Sequence, residues 1–307
     1  MKRHLLVTEF LSTPWALMPE RLNAATAILT RWAAGQSATP EVMASVANDR
    51  EARTARSESN NRAGGNIGVL PFYGIVTQRE VADLCGPGSC STQRFSAGLR
   101  EMLADDTIGA ILIDIDSPGG SVYGVSELAD EIMQARNIKP VVALANSLAA
   151  SAAYWAGCAA GEFYVTPGGE VGSIGVWQAH MDYSKYMENE GVSPTLISAG
   201  KYKVEGNPYA PLDEEAHAFM QSRVDDYYAA FTKGVSKARG VPVAQVREGM
   251  GQGRVLGAEA ALAEKMVDGV MTFDQVIKKM QKDLRSTATT APKSRRAAAE
   301  RDLQLLG

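Results

Sequence analysis

The chain has 307 residues, 45% of them hydrophobic and 21% charged, enough apolar material for one large or two modest globular cores. A formal net charge of -4 gives no global reason to expect a polyanionic partner, which argues against nucleic-acid binding. Three cysteines, Cys85, Cys90 and Cys158, supply neither a disulfide framework nor a zinc spacing, so a reducing compartment is expected, with a Cys85–Cys90 bridge left open.

The start, MKRHLLVTEF, is basic and then apolar, but Glu9 interrupts the apolar run and no small-residue cleavage site follows, so no signal peptide is expected. Leu22, Ala25, Leu29 and Trp32 recur at helical spacing and predict a helix over Arg21–Ala34. It is followed by the polar stretch EARTARSESNNRAGG, which reads as a linker and closes a first zone at about residue 62. From Asn66 the pattern changes to strand-like NIGVLPFYGIV, a helix over Phe95–Leu103, strand IGAILIDID, a Gly-Gly turn, a helix over Val122–Arg136 and strand VVALAN. Strands alternating with helices predict an α/β fold of βαβ units with parallel pairing, and a site at the carboxyl ends of the strands.

An uncharged, alanine-rich helix then runs toward Gly161. The stretch Pro140–Gly161 is long enough to span a bilayer but too weakly apolar to do so, so a soluble protein is expected. Three more segments read as strands: EFYVT, GSIGVWQAH and SPTLIS. A long amphipathic helix begins near Asp213, with Ala216, Met220, Val224, Tyr227, Phe231 and Val235 on one stripe. The end, QKDLRSTATTAPKSRRAAAERDLQLLG, is Ala-rich and locally basic, a mobile tail or a helix in need of a partner. The expected organisation is an N-terminal helical segment and linker over 1–62, a core domain over 63–279 and a flexible tail over 280–307, without internal repeats.

Two motifs in the core carry chemistry. In IDIDSPGGSVYG a buried strand runs into Ser117-Pro118-Gly119-Gly120, where two glycines let the backbone approach a ligand and aim an amide at it. This is either an oxyanion hole, an anion cradle or a plain strand-to-helix turn. It lacks the patterns GxGxxG and GxxxxGK[ST], so nucleotide binding has little support. In SLAASAAYW, Ser151 falls near the first turn of a helix, with the Ala152 amide able to face an oxyanion. Buried packing explains the same residues, and Ser147 reads as the structural N-cap.

A nucleophilic serine needs a base. Of three histidines, His4 lies in the N-terminal tail, His217 on the long helix, and only His180, at the end of GSIGVWQAH, could join a triad. The other source is the loop SAGKYKVEGNPYAPL, with Lys201 and Lys203. A lysine works as a base only when neutral, and desolvation in a closed pocket is what lowers an ammonium pKa from about 10.4 toward ~7.

Together, DSPGGSVYG, the serine of AASAAYWAG, VGSIGV and the Gly200 to Lys203 spacing resemble the signal peptide peptidase A family of Ser-Lys peptidases, with a ClpP/crotonase-like fold. FLSTPWALMPERLNA and KVEGNPYAPLDEEA are similar to the phage head-maturation branch of that family, of the minor capsid protein C type. The resemblance covers about residues 5 to 275. It implies Ser151 as nucleophile, Lys203 as general base, the amides of Gly120, Gly119 and Ala152 as oxyanion hole, and Lys201 as a spectator. Where the family usually has glycines after its serine, this chain has Ala152 and Ala153. It further implies no metal or cofactor, a homo-oligomer with Lys203 acting either within its own chain or across an interface, and cleavage of scaffold, capsid or portal proteins inside a procapsid in the bacterial cytoplasm. The readings that compete are a signal-peptide-peptidase-like enzyme, a crotonase-type acyl-CoA enzyme and a catalytically idle capsid-assembly component.

Overall fold

The computed structural model describes residues 13–19, 66–79 and 89–290. The helix expected over Arg21–Ala34, the linker, Cys85 and residues 291–307 lie outside the described residues. Strand β1 is Trp15–Leu17, β2 Ile67–Tyr73, β3 Ile75–Thr77 and β4 Ser89–Ser91. Helix α1 (Thr92–Ala104) follows, then β5 (Ala110–Ser117), β6 (Gly119–Ser121), α2 (Val125–Ala135), β7 (Val141–Ala150) and α3 (Ala152–Cys158). Beyond them lie β8 (Glu162–Val165), β9 (Glu170–Gly172), α4 (Ser184–Asn189), α5 (Glu214–Arg239) and α6 (Val243–Glu248). The described chain closes with β10 (Val255–Gly257), α7 (Ala258–Ala263), β11 (Gly269–Val270) and α8 (Phe273–Thr290).

The main sheet has the order β10-β9-β7-β5-β2, with β8 on β7 and β11 on β8. β2, β5, β7 and β8 are parallel, as their continuous apolar runs require of strands buried on both faces. The period of two divides the core. Ile111, Ile113 and Ile115 of β5 pack with α1, α2 and α3, while Ala110 and Leu112 pack with Val142, Leu144 and the Val276, Ile277 and Met280 face of α8. A second, smaller sheet, β1-β6-β3-β4, carries the two glycines.

β7 changes partner along its length: Val142–Ala145 pair with β8 and Leu148–Ala150 with β9. At the fork Asn146 donates to Asp114, 3.0 Å, and Ser147 to Asp116, 3.1 Å. Ser147 is therefore not a helix cap. The strand continues four residues beyond the expected end, because β9 offers it a second ladder. The Gly-Gly segment likewise is a strand rather than a helix N-terminus, since β1 and β3 flank it.

GSIGVWQAH is strand only to Gly172, and SPTLIS forms no strand; it is exposed, bears Pro194 and has no neighbouring strand to pair with. The long helix is where the stripe placed it. Asp213 accepts from Ala216 N–H at 2.8 Å and Gly240 closes the helix at φ 65.

The C-terminal end of α5 is tied to the sheet by Arg239, whose guanidinium grips Asp268 through two bonds of 2.9 and 2.8 Å, while Asp268 also accepts from Phe163 N–H at 2.7 Å. Burial pushes the Asp268 carboxyl up, but the bonds from Arg239 and Phe163 outweigh it and hold the carboxyl below the usual range. A depressed carboxylate contributes stability above its unfolded pKa and loses it as pH falls through the folded one. Asp268→Ala is expected to lower stability by about 1–3 kcal/mol at pH 7, the partly exposed carboxylate tempering the cost, and the wild-type and variant urea midpoints should converge below about pH 3.9.

Candidate active site

Between β7 and α3 the backbone makes a turn that an L-residue rarely adopts. Ser151 has φ 56 and ψ -117 and sits at the N-cap position without making a capping bond. Its N–H donates to Gly172 O at 2.6 Å, and its carbonyl accepts from Trp155 N–H at 3.0 Å, so the turn is held from both sides. Such strain costs about 1–3 kcal/mol and persists only where the surroundings impose it. The Ser151 side chain is buried, and its Oγ has no hydrogen-bond partner among the described residues. Ala152, as the first helical residue, has an N–H without an intrahelical acceptor.

The alanines of α3 serve packing as well. Every residue of the helix is buried, Tyr154 donates to Met266 O at 3.0 Å, and Trp155 stacks on Phe231 at 4.7 Å between centroids. Small residues let the helix start deep in the core, which is what buries the serine.

Gly119 and Gly120 lie directly beside it. A Cβ on Gly119, at φ 93, would collide with the Ala16 carbonyl and come within 2.9 Å of both Ala150 O and Ser151 Cβ. A Cβ on Gly120 would collide with the backbone of Val76. Ser117 positions the pair: its hydroxyl donates to Gly74 O at 2.6 Å and accepts from Gly119 N–H at 3.2 Å. Gly172, the acceptor for Ser151, is also constrained, with φ 126 and Arg254 O 2.7 Å from where a Cβ would stand. Ser117, Gly172 and β1 were not singled out from the residues. All three stand inside the motifs DSPGGSVYG, VGSIGV and FLSTPWALMPERLNA, and their roles are visible only once neighbouring strands are known.

Ser151, Gly119, Gly120 and Ala152 are thus brought together. Lys203 is not hydrogen-bonded to Ser151; it is exposed on the segment between β9 and α5, with its N–H on Gly200 O at 3.1 Å. Lys201 binds Tyr202 OH at 2.7 Å and Glu215 at 3.0 Å, which hold its pKa above the usual lysine value. His180 Nε2 lies 3.1 Å from Asn207 O, and His217 is exposed on α5. Cys90 and Cys158 are free thiols that burial pushes up to about 12. Among the described residues no group of His, Cys, Asp and Glu could hold a metal ion, and no helix is long and apolar enough to cross a membrane.

Compared with known proteins, residues 133–287 match the family described as Peptidase family S49. Capsid assembly protease C of Escherichia phage lambda is 36% identical over 216 residues, 70% of this chain and 49% of that protein. Head-tail preconnector protein GP5 of Enterobacteria phage P21 is 31% identical over 253 residues, 80% of this chain and 50% of that protein. The chain thus spans about half the length of these two relatives. A putative signal peptide peptidase SppA of Enterococcus faecium is 24% identical over 222 residues, 72% of this chain and 64% of the other.

The geometry makes stability and chemistry oppose each other at one residue. Ser151→Ala removes an unpartnered hydroxyl and Ser151→Gly removes the backbone strain as well. Thermal unfolding midpoints are expected to rise in the order wild type, Ser151→Ala, Ser151→Gly, the last by about 1–3 kcal/mol in stability. A Ser151→Gly protein less stable than wild type would contradict this account of the turn.

Proposed function

Because this chain belongs to peptidase family S49 and has the family's ClpP/crotonase-like fold, we propose that it is a serine endopeptidase that cleaves scaffold, capsid or portal proteins during phage or prophage head maturation. The observation that carries the reading is Ser151: a buried hydroxyl without a partner, on a strained turn, against a strand of two glycines. A serine placed only for packing has no need of either cost.

Ser151 is the nucleophile and Lys203 the base. Neutral Lys203 takes the Oγ proton as Oγ attacks the substrate carbonyl carbon, and the carbonyl π pair becomes the oxyanion, stabilised by the amides of Gly120 and Ala152, the Gly119 N–H being taken by Ser117 Oγ. Collapse breaks the C–N bond. The leaving amine takes the proton back from Lys203, and water, deprotonated by the same lysine, attacks the acyl-enzyme and frees Ser151. No metal or cofactor enters these steps.

Lys203 is supplied by a neighbouring subunit of a homo-oligomer. In support, its segment stands uncovered on the single chain, with Ile197 95% exposed and Leu196, Val192, Tyr186 and Tyr202 also exposed. A second copy seated there covers this apolar surface and gives Lys203 the desolvated setting a neutral amine needs. The place of action follows from the substrates: the assembling procapsid, in the bacterial cytoplasm.

The test is cleavage of co-expressed capsid and scaffold proteins and of a denatured protein. Ser151→Ala and Lys203→Ala are expected to lose about a thousandfold or more in rate while His180→Ala cleaves. A mixture of the Ser151→Ala and Lys203→Ala proteins, dissociated and reassembled, is expected to regain part of the activity, since some interfaces then pair an intact serine with an intact lysine. An inactive His180→Ala beside an active Lys203→Ala would overturn the dyad, and an inactive mixture would place both groups in one chain.

A further inference from the structure

β1 lies in a slot. One edge is bonded to β6 in antiparallel register, with Trp15 opposite Ser121, Ala16 opposite Gly120 and Leu17 opposite Gly119. The other edge exchanges two bonds with Trp177, Trp15 N–H to Trp177 O at 2.8 Å and the reverse at 3.0 Å, while the Trp177 indole N–H donates to Leu17 O at 3.0 Å. Trp15, Ala16 and Leu17 are all buried.

Bonded pairs alternate along an antiparallel ladder. Met18 N–H donates to Pro118 O and Val122 N–H to Pro14 O, so the bonded pair between them is Ala16 with Gly120. The Ala16 carbonyl thus faces the Gly120 N–H, one of the donors proposed for the oxyanion. The point where a Gly119 Cβ would stand meets both the Ala16 carbonyl and, 2.9 Å away, Ser151 Cβ. An extended polypeptide whose scissile carbonyl takes the Gly120 N–H must run along this same edge of β6, and between β6 and Trp177 there is room for one strand.

We propose that Trp15–Leu17 is a resident strand in the substrate groove, an autoinhibitory segment that a polypeptide substrate displaces. The proposal rests on the peptidase reading of Ser151, which fixes where a substrate backbone lies. The segment is suited to leaving: Pro14 and Pro19 flank it, neither has an N–H for a ladder, and the strand stops at three residues.

The experiment uses full-length protein carrying Ser151→Ala, so that binding is read without turnover, and a fluorescein-labelled peptide of sequence TPWALM. Trp15→Cys with Ser121→Cys places two thiols on a directly opposed pair of the ladder, where a disulfide clamps β1 to β6. Peptide binding is expected in reductant and to weaken about tenfold or more on oxidation, while Trp15→Cys alone responds to neither. Ala16→Pro, which removes a ladder N–H from β1, is expected to tighten binding about tenfold without any disulfide. Equal affinity of the clamped and reduced proteins, or no binding by either, overturns the proposal. Redox-dependent binding with no cleavage once Ser151 is restored leaves the groove assignment standing and overturns the peptidase reading instead.

Discussion

The backbone bond from Ser151 N–H to Gly172 O, 2.6 Å long, is the constraint around which the rest of the site is arranged. It joins the end of β7 to the end of β9 and forces Ser151 to φ 56, from which α3 turns back into the core. For Gly172 to accept it, that residue must itself adopt φ 126 beneath Arg254 O, which only glycine does without strain. The turn then sets Ser151 Cβ beside Gly119, where any side chain would strike Ala16, Ala150 or Ser151. One unfavourable residue is thus held by two obligatory glycines and by the fork in β7. The costs, about 1–3 kcal/mol of strain and a similar penalty for an unpaired hydroxyl, are offset by core residues such as Ile111, Ile113 and Ile115, fully buried at roughly 1.5–3 kcal/mol each.

Much of this was legible in the residues. The strands read in IGAILIDID and VVALAN and the helix from Asp213 stand where pattern and caps put them, because local preference and burial agree there, whereas NIGVLPFYGIV breaks at Gly74, φ 80, into β2 and β3 of two different sheets. The misses have a common cause. Ser147 reads as an N-cap because Ser favours helix starts, but β9, more than twenty residues further on, offers β7 a second ladder and carries the strand to Ala150. Gly119-Gly120 reads as a turn because glycines break strands, yet β1 and β3 close on it from both sides. In each case a non-local strand partner outweighed a local propensity of about 1 kcal/mol.

The positions of the proposed nucleophile and base also differ in kind. Ser151 is fixed by the core of its own chain, and folding alone suffices to place it. Lys203 stands on a segment whose apolar side chains find no cover among the described residues of that chain. A dyad divided in this way is inert in a folded monomer and competent only where another surface closes over the lysine. On the proposed reading, assembly is the step that completes the chemistry.

The resident strand adds a second, independent threshold, and its size follows from effective concentration. A segment tethered to its own groove competes as though present at about millimolar concentration, so free substrate must exceed that figure scaled by its relative affinity. A groove open for only one part in a hundred weakens the apparent affinity of every substrate a hundredfold without altering a single contact. Proteins packed inside a shell reach local concentrations that dilute proteins do not, and on the proposed reading it is there that a β1 held by three residues loses the competition. Selectivity of this kind requires no refined pocket for particular side chains. It is consistent with a site whose walls, on the β6 side, are backbone amides and two glycines, which bind any extended chain alike.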